Sequence, residues 1–335
     1  MAGRRTNLAL LALLAAAFLT GLLAYGIGAS WGGWVVIGHG ALGLGLLLLA
    51  PWKSVIARKG LRRRRPGSWA SVALSVLVAA AVLFGILHAT GLAVSLGPVT
   101  AMQLHVGAAV AAIPLALWHV LARRVRPRRT DLSRRNLLRA GAVLGGAGLA
   151  YGAVEGAVHV LSLPGAGRRF TGSYERGSFR PEEMPVTQWF NDSVPDVDPA
   201  SWRLTVVAEG RERSFGYRDL EAFDYRVRTT LDCTGGWYAD QDWEGVFLSR
   251  LVPDPGQHRS VLVRSVSGYP RRFPVADLPR LLVATRVGGE PLSAGHGFPA
   301  RIVAPGRRGF WWVKWIERVE LGYAPWWLQW PFPAS

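Results

Sequence analysis

Five apolar stretches, each about as long as a bilayer is thick, occupy the first half of this 335-residue chain. They run over residues 8–28, 33–51, 69–94, 101–122 and 137–162. A helix needs about 20 apolar residues to cross the hydrocarbon core, so each stretch predicts a transmembrane helix. Because further apolar stretches follow the first one at once, the first is not a simple cleaved signal peptide.

The positive charges of the chain are concentrated beside these stretches. The formal net charge is +17, and lysine and arginine cluster at 4–5, 53–65 and 123–139. Basic clusters next to apolar spans mark cytoplasmic loops, and this placement argues against a nucleic-acid partner. The pattern predicts a cytoplasmic N-terminus and places everything after about residue 164 outside the cytoplasm.

The fifth apolar stretch begins with an unusual basic segment. Residues 133–139 read Ser-Arg-Arg-Asn-Leu-Leu-Arg and resemble a twin-arginine export signal, which serves proteins exported in folded form. An ordinary positive-inside anchor needs only the charges, and that alternative stays open. We predict a four-helix transmembrane region at 1–130, this segment with a fifth anchor at 131–165, and an extracytoplasmic domain at 166–335.

Histidines lie at membrane depth within the predicted spans. His39, His88 and His105 are placed towards the predicted outer side, and His119 lies further in. Ionisable side chains inside a membrane are rare and usually functional. The spacing of His105 and His119 resembles that of b-type cytochromes. We predict one outer haem b built from the three outer histidines, with His88 and His105 on the iron. Hydrogen bonding between helices by individual histidines is the alternative.

The second half of the chain has the pattern of one α+β domain. Prolines, turn dipeptides and alternating apolar residues replace the long apolar runs, and Gly288-Gly289 indicates a hairpin. The predicted strands are 202–208, 225–231, 261–266, 281–287, 301–303 and 312–321. Short helices are predicted at 219–223 and 246–251.

Cys233 is the only cysteine of the chain, and it stands at the end of a predicted strand before Gly235 and Gly236. One cysteine cannot form an intrachain disulfide. A lone cysteine is most often an inert small hydrophobe. A thiol at a strand end, on a loop bordered by glycine, also suits a nucleophile or a soft metal ligand.

Four sequence motifs of the second half occur together. The motifs are Cys233 with Gly-Trp at 236–237, Trp-Glu-Gly-Val-Phe-Leu at 243–248, His-Gly-Phe-Pro-Ala-Arg at 296–301, and Gly309 followed by Val-Lys-Trp at 313–315. Histidine, arginine and lysine near glycine turns suit an anionic group. Over roughly 184–322 the combination resembles the molybdopterin-binding domain of the sulfite oxidase family.

The resemblance implies a fold and a cofactor. The fold is an α-helical membrane bundle of about five spans followed by a sulfite-oxidase-type α+β domain, and the cofactor is Mo-molybdopterin. Cys233 would be the thiolate ligand of molybdenum, which supplies two-electron redox and oxygen-atom transfer between Mo(VI) and Mo(IV). The other implied site residues are Tyr269 near the metal, Asn191 in the first cofactor loop, and the cofactor contacts His296, Arg301, Trp312, Val313 and Lys314.

Two positions depart from the plant and animal sulfite oxidases. Phe190 stands where they have an arginine that helps to receive sulfite, and Ser265 stands where they have an aspartate. Sulfite is therefore not implied as the substrate. We predict a molybdenum-cofactor oxidoreductase of the sulfite oxidase or periplasmic sulfoxide reductase type, anchored in the cell membrane. It would act on a small molecule and exchange electrons through the membrane region with the quinone pool or a redox partner protein. A membrane sensor or transport protein with a non-catalytic binding domain is the alternative.

Overall fold

The computed structural model describes residues 2–62, 67–97, 99–125, 128–188, 192–252 and 254–330. The chain divides into two compact units. The helical unit comprises Met1–Tyr25 and Ser30–Tyr174, and the sheet unit comprises Gly26–Ala29 and Glu175–Ser335. Asn191, which we predicted to contact the cofactor, lies outside the described residues.

The helical unit is built from long apolar helices. They are α1 (Ala2–Gly26), α2 (Gly32–Arg62), α3 (Ser68–Thr90), α4 (Ala101–Ala122) and α5 (Arg134–Val160). Within the described part of the chain, these five are long and apolar enough to cross a membrane, as the apolar stretches predicted. The helix α2 runs further than its apolar stretch, because lysine and arginine are good helix formers and continue it beyond Pro51.

Local signals fix the ends of α3 and α4. The helix α3 ends at Gly91, whose φ of 73° is left-handed and whose N–H donates to the carbonyl of His88. Thr100 caps α4, since its hydroxyl accepts from Gln103 N–H while the Gln103 side chain accepts from Thr100 N–H. Between these ends lies a short antiparallel hairpin of β1 (Ser95–Leu96) and β2 (Val99–Thr100). The helix α3 packs along α4, and α2 along α5.

Two sheets make up most of the C-terminal part of the chain. Their strands are β3 (Tyr174–Glu175), β4 (Arg203–Ala208), β5 (Arg211–Gly216), β6 (Tyr225–Cys233), β7 (Trp237–Phe247), β8 (Ser260–Ser265), β9 (Pro270–Pro274), β10 (Leu282–Val287), β11 (Glu290–Pro291), β12 (Arg301–Val303) and β13 (Ile316–Gly322). One sheet has the order β5-β4-β13-β8-β9, and the strands β3, β6, β7, β10, β11 and β12 form the other. Two short helices, α6 (Tyr217–Glu221) and α7 (Leu248–Leu251), complete the elements.

Several local predictions are confirmed, and others are wrong. The Gly288-Gly289 hairpin joins β10 to β11. The helix predicted from residue 246 starts at Leu248 instead, because Val246 and Phe247 still pair with β10. The strand predicted from residue 312 starts at Ile316, because a 3₁₀ turn occupies Gly309–Trp311. The strands β5, β7 and β9 were not predicted, since their charged residues hide the alternation.

The centre of the sheet unit is the antiparallel pairing of β7 with β6 and β10. Trp243 is fully buried on β7. A Cβ on Gly245 would lie 2.0 Å from the carbonyl oxygen of Val283, so only glycine allows β10 to approach there. This explains the spacing of the Trp-Glu-Gly-Val motif: its tryptophan fills the core, and its glycine lets the neighbouring strand approach closely.

Candidate functional site

A pocket of the sheet unit includes the end of the β6–β7 hairpin. It contains about 670 Å³ of empty space, counting the part open to solvent. Its lining brings together residues from distant parts of the sequence, among them Asp192, Cys233, Tyr269, His296, Arg301 and Lys314. The sequence motifs are therefore assembled around one cavity by the pairing of strands.

Cys233 is the last residue of β6 and is buried. The turn that follows it is closed by Gly236, whose φ of 94° is left-handed. The N–H of Gly235 donates to Sγ at 3.3 Å. Gly309 approaches from the other side, where a Cβ would lie 3.1 Å from the Cys233 Cα. Burial raises the pKa of the thiol, so a bound metal ion would be needed to ionise it fully.

The sequence analysis missed a buried ion pair that involves Asp232, the residue before Cys233. Asp232 Oδ1 and Arg308 Nε are 3.4 Å apart, with the two side chains 3% and 4% exposed. Arg308 Nη2 also donates to the carbonyl of Cys233 at 3.0 Å. The pair therefore fixes the backbone that carries Sγ. A carboxylate on a buried strand beside the single cysteine was the available signal, because a buried charge needs a partner.

Arg301 is a buried cation in the wall of the pocket, only 1% exposed. Its guanidinium donates to the carbonyls of His296 and Trp312, at 2.9 and 3.3 Å. Its Nε is buried and has no hydrogen-bond partner among the described residues. The guanidinium also lies over the rings of Trp243 and Trp312. Burial lowers its pKa to about 9, so the site strongly favours an anion beside it.

Lys314 is the second cation of the pocket and is half-buried. Its Nζ donates to the carbonyl oxygens of Thr187 and Gly295, at 2.8 and 2.6 Å. Burial, together with the charge of Arg301, lowers the pKa of the ammonium group to about 7, whereas Cys233 and Asp192 act in the opposite direction. Thr187 was not singled out from the sequence, since a threonine in a loop carries no distinguishing pattern.

His296 is held by hydrogen bonds within the protein. Its Nε2 donates to the carbonyl of Met184 at 3.1 Å, and its Nδ1 accepts from the hydroxyl of Ser293 at 2.8 Å. Burial, together with the charges of Arg301 and Lys314, lowers the pKa of the imidazole to about 4. The ring is therefore neutral at pH 7. The backbone carbonyl of His296 orients the guanidinium of Arg301.

The remaining predicted site residues are engaged by the protein backbone. The Tyr269 hydroxyl donates to the carbonyl of Phe310 at 2.6 Å. The N–H groups of Trp312 and Val313, which we expected to hold a phosphate, donate instead to Gly309 and Trp311. These amides form the turn that aims Lys314 at the pocket. The contact of Trp312 and Val313 with the cofactor stays a prediction.

Residues 191–330 match the family described as the oxidoreductase molybdopterin binding domain. The matched residues make up most of the sheet unit. Human mitochondrial sulfite oxidase is 28% identical over 40% of this chain and 32% of that protein. The chain thus spans about a third of the length of the sulfite oxidases that it matches.

Other relatives match the same part of the chain. The oxidoreductase YuiH of Bacillus subtilis is 28% identical over 37% of this chain and 66% of that protein. The nitrate reductase [NADPH] of Mycosarcoma maydis is 49% identical over 22% of this chain and 8% of that protein. Among solved structures, the sulfane dehydrogenase SoxCD from Paracoccus pantotrophus is 24% identical over 39% of this chain and 40% of that chain, with a TM-score of 0.36.

The residues around the pocket of the sheet unit fit a molybdenum–molybdopterin cofactor chemically. A cysteine thiolate is a soft ligand that suits molybdenum. The buried Arg301 and the half-buried Lys314 would provide positive charge for the phosphate of a pterin, and the Nε of Arg301 has no acceptor among the residues that the structure describes. An anionic ligand would account for two cations beside one thiol.

The structure brings together two of the three histidines that we predicted for the haem, whereas the third hydrogen-bonds elsewhere. Nε2 of His39 lies 3.5 Å from Nε2 of His105. His88, which we predicted on the iron with His105, instead hydrogen-bonds the carbonyl of Gly172 through its Nε2 at 2.7 Å. His119 Nδ1 lies 3.0 Å from the hydroxyl of Ser71. The histidine that faces His105 is therefore His39 rather than His88.

Proposed function

We propose that this chain is a membrane-anchored molybdenum-cofactor oxidoreductase of the sulfite oxidase or periplasmic sulfoxide reductase type. One observation carries the proposal: the single thiol of the chain is buried in the same pocket as two cations, Arg301 and Lys314. Structural cysteines are found in apolar surroundings, whereas a thiol that ligates a metal lies in an electropositive one. The match to the molybdopterin-binding family supports the same reading.

The chain itself contributes binding, orientation and charge. When bound, the molybdenum cofactor supplies two-electron redox chemistry with oxygen-atom transfer. Cys233 gives its thiolate to the metal, on a backbone held by Arg308. Arg301 and Lys314 neutralise the anionic end of the pterin, and His296 orients the guanidinium of Arg301 through its carbonyl. A small-molecule substrate then approaches from the open side of the pocket.

The remaining parts of the proposal concern the membrane. Five helices of sufficient length and apolarity support anchoring in the cell membrane. The basic clusters at 4–5, 53–65 and 123–139 support an extracytoplasmic catalytic domain. Electrons would be exchanged through the helical unit with the quinone pool or with a redox partner protein.

Metal analysis of the purified full-length protein tests the enzyme proposal. We expect about one molybdenum per chain together with a released pterin, since a single domain supplies one thiolate ligand. The matched control is the same chain from a host that cannot make molybdopterin, which should be folded but free of molybdenum. A correctly inserted protein without molybdenum from a competent host would instead favour the sensor or transport alternative.

Reporter fusions test the location of the domain. A fusion after Gly167 should report the extracytoplasmic side, and one after Lys59 the cytoplasm, because basic residues stay inside. Replacing Arg134 and Arg135 by lysine keeps the charges but removes the twin-arginine pattern. Export of the domain should then stop while the first four helices still insert. Undiminished export would leave an ordinary anchor as the role of this segment.

A further inference from the structure

His39 on α2 and His105 on α4 rest against neighbouring helices in the same way. The ring of His39 lies on Gly21 of α1, where a Cβ would be 3.0 Å from the ring carbon Cε1. The ring of His105 lies on Gly85 of α3, where a Cβ would be 3.0 Å from Nδ1. Both separations are too short for an ordinary Cβ contact, so each glycine gives the ring its place against the helix.

The hydrogen bonds of the two rings repeat the same pattern. Nδ1 of His39 lies 3.0 Å from the carbonyl oxygen of Ala17, four residues before Gly21. Nδ1 of His105 lies 2.7 Å from the carbonyl oxygen of Ala81, four residues before Gly85. A carbonyl can only accept, so the proton of each neutral imidazole is on Nδ1. Each Nε2 therefore carries a lone pair.

These two lone pairs point at each other. The Nε2 atoms are 3.5 Å apart and the ring centroids 5.6 Å apart, a difference of 2.1 Å. When two imidazoles meet end to end, the centroid distance exceeds the Nε2 separation by twice the distance from a ring centroid to its own Nε2. The observed difference is close to that value, so the two rings meet end to end. Two acceptors facing each other repel, so this arrangement calls for an electron-pair acceptor between them, either a shared proton or a metal ion. A transition metal is such an acceptor, and neutral imidazole with its Nδ1–H bonded to a carbonyl is its usual ligand.

The number and direction of the ligands select the kind of metal centre. A bare zinc ion takes three or four protein ligands in a tetrahedral arrangement. Among the residues that the structure describes, no group of three or more histidine, cysteine, aspartate or glutamate side chains could hold a metal ion. A haem iron has four ring nitrogens of its own and needs only axial ligands from the protein. Two imidazoles that meet end to end provide these.

We propose that His39 and His105 are the two axial ligands of a single b-type haem in the helical unit. Imidazole–metal bonds are about 2 Å long, so the present Nε2 separation of 3.5 Å needs to widen by only a fraction of an ångström for an iron to lie between the rings. His88 and His119 are excluded as the pair, because each is bonded elsewhere. The proposal does not depend on the molybdenum site.

The test uses the full-length protein, purified in detergent from a host that makes haem. We expect a reduced-minus-oxidised spectrum of a low-spin b-type haem, with one haem per chain by pyridine haemochrome assay. His39→Ala and His105→Ala should each lose this low-spin spectrum. The matched controls His88→Ala and His119→Ala, on α3 and α4, should retain it at full occupancy.

Three further variants keep the test decisive if the alanine variants fold poorly. His39→Met and His105→Met retain an axial ligand and should shift the spectrum and the reduction potential while haem stays bound. His39→Gly should regain the low-spin spectrum when free imidazole is added. Molybdenum content, measured on the same samples, reports separately whether the sheet unit is folded, and regain of the spectrum with imidazole shows that the helical unit is folded.

Three results would overturn the proposal. The first is a wild-type protein without haem that carries its normal molybdenum. The second is a wild-type spectrum that survives both His39→Ala and His105→Ala. The third is stoichiometric zinc or copper, removed by these two substitutions, in a protein that contains no haem.

Discussion

The two units of the molecule each hold a group of polar side chains, and they fix these groups by different means. In the sheet unit, Cys233 stands at a strand end and its backbone is tied down by the buried Asp232–Arg308 pair. In the helical unit, His39 and His105 stand in the N-terminal parts of continuous helices and are oriented by backbone carbonyls of neighbouring helices. The first site is set by buried charge, and the second by close packing against glycine.

This difference matches what each environment allows. A strand end borders a loop, so the Cys233 pocket stays open to a small molecule and suits chemistry on a substrate. An apolar helix offers no loop, and its buried side chains suit a cofactor that stays in place. A buried ion pair such as Asp232 and Arg308 would be costly among apolar helices. Backbone carbonyl oxygens are available there instead and can orient a histidine by accepting its N–H. We therefore expect the two sites to respond to different kinds of substitution.

The substitution with the largest expected effect disrupts only the site of the sheet unit. Cys233→Ser should reduce turnover by at least about 100-fold, since losing even an outer partner of a metal ligand costs 10–100-fold. The electron paramagnetic resonance signal of Mo(V) should change as well, because a sulfur ligand is lost. Ser214→Ala, an exposed position on β5, is the control and should match the wild type. Wild-type turnover in Cys233→Ser would show that the thiol is not the ligand.

The second prediction asks whether buried charge holds the sheet-unit site. Asp232→Asn leaves Arg308 buried without its counter-charge and should destabilise the domain by about 3–5 kcal/mol. The measurement is denaturant unfolding of the full-length protein, followed by tryptophan fluorescence.

The matched control is the surface pair of Arg228 and Asp242, whose side chains are 70% and 36% exposed. Asp242→Asn should have a much smaller effect, because exposed ion pairs are solvated. Equal losses from Asp232→Asn and Asp242→Asn would contradict the role that we give to the buried pair.

The third prediction asks whether glycine packing holds the helical site. Gly85→Ala places a methyl group against the His105 ring, and we expect haem affinity to fall by about 10-fold. Gly148→Ala is the control, because no neighbouring atom lies within 4 Å of its Cβ position. The measurement is haem retention during dilution, with molybdenum content as the reference. An unchanged haem affinity in Gly85→Ala would mean that the ring does not need this glycine.

The smallest expected effect concerns pH and the sheet unit. Burial lowers the folded-state pKa of His296 from 6.5 to about 4, so its contribution to stability is present above pH 6.5 and is lost as the pH falls towards 4. His296→Gln keeps a polar group but cannot titrate. The wild type should therefore lose more stability than the variant between pH 6.5 and 4, relative to each protein at pH 8. Parallel acid unfolding curves would contradict this assignment.

Much of the architecture followed from the sequence. Long apolar stretches can satisfy their backbone in a membrane only as helices, so the five helices were predictable to within a few residues at most ends. The exception was α2, which continues to Arg62 because charged residues also favour helix. The motifs around Cys233, His296 and Lys314 predicted one common pocket, since their resemblance to a known domain already implied it.

The tertiary structure alone decided which groups meet. The apolar stretches place His39, His88 and His105 at similar depths, and only the packing of the helices against Gly21 and Gly85 turns His39 towards His105. Likewise, nothing in the local sequence linked Asp232 to a residue 76 positions away, because the register of the chain around β6 sets that pair. Periodicity records which face of an element is apolar. Contacts between distant side chains depend on rotation and register, and one-dimensional patterns do not contain these.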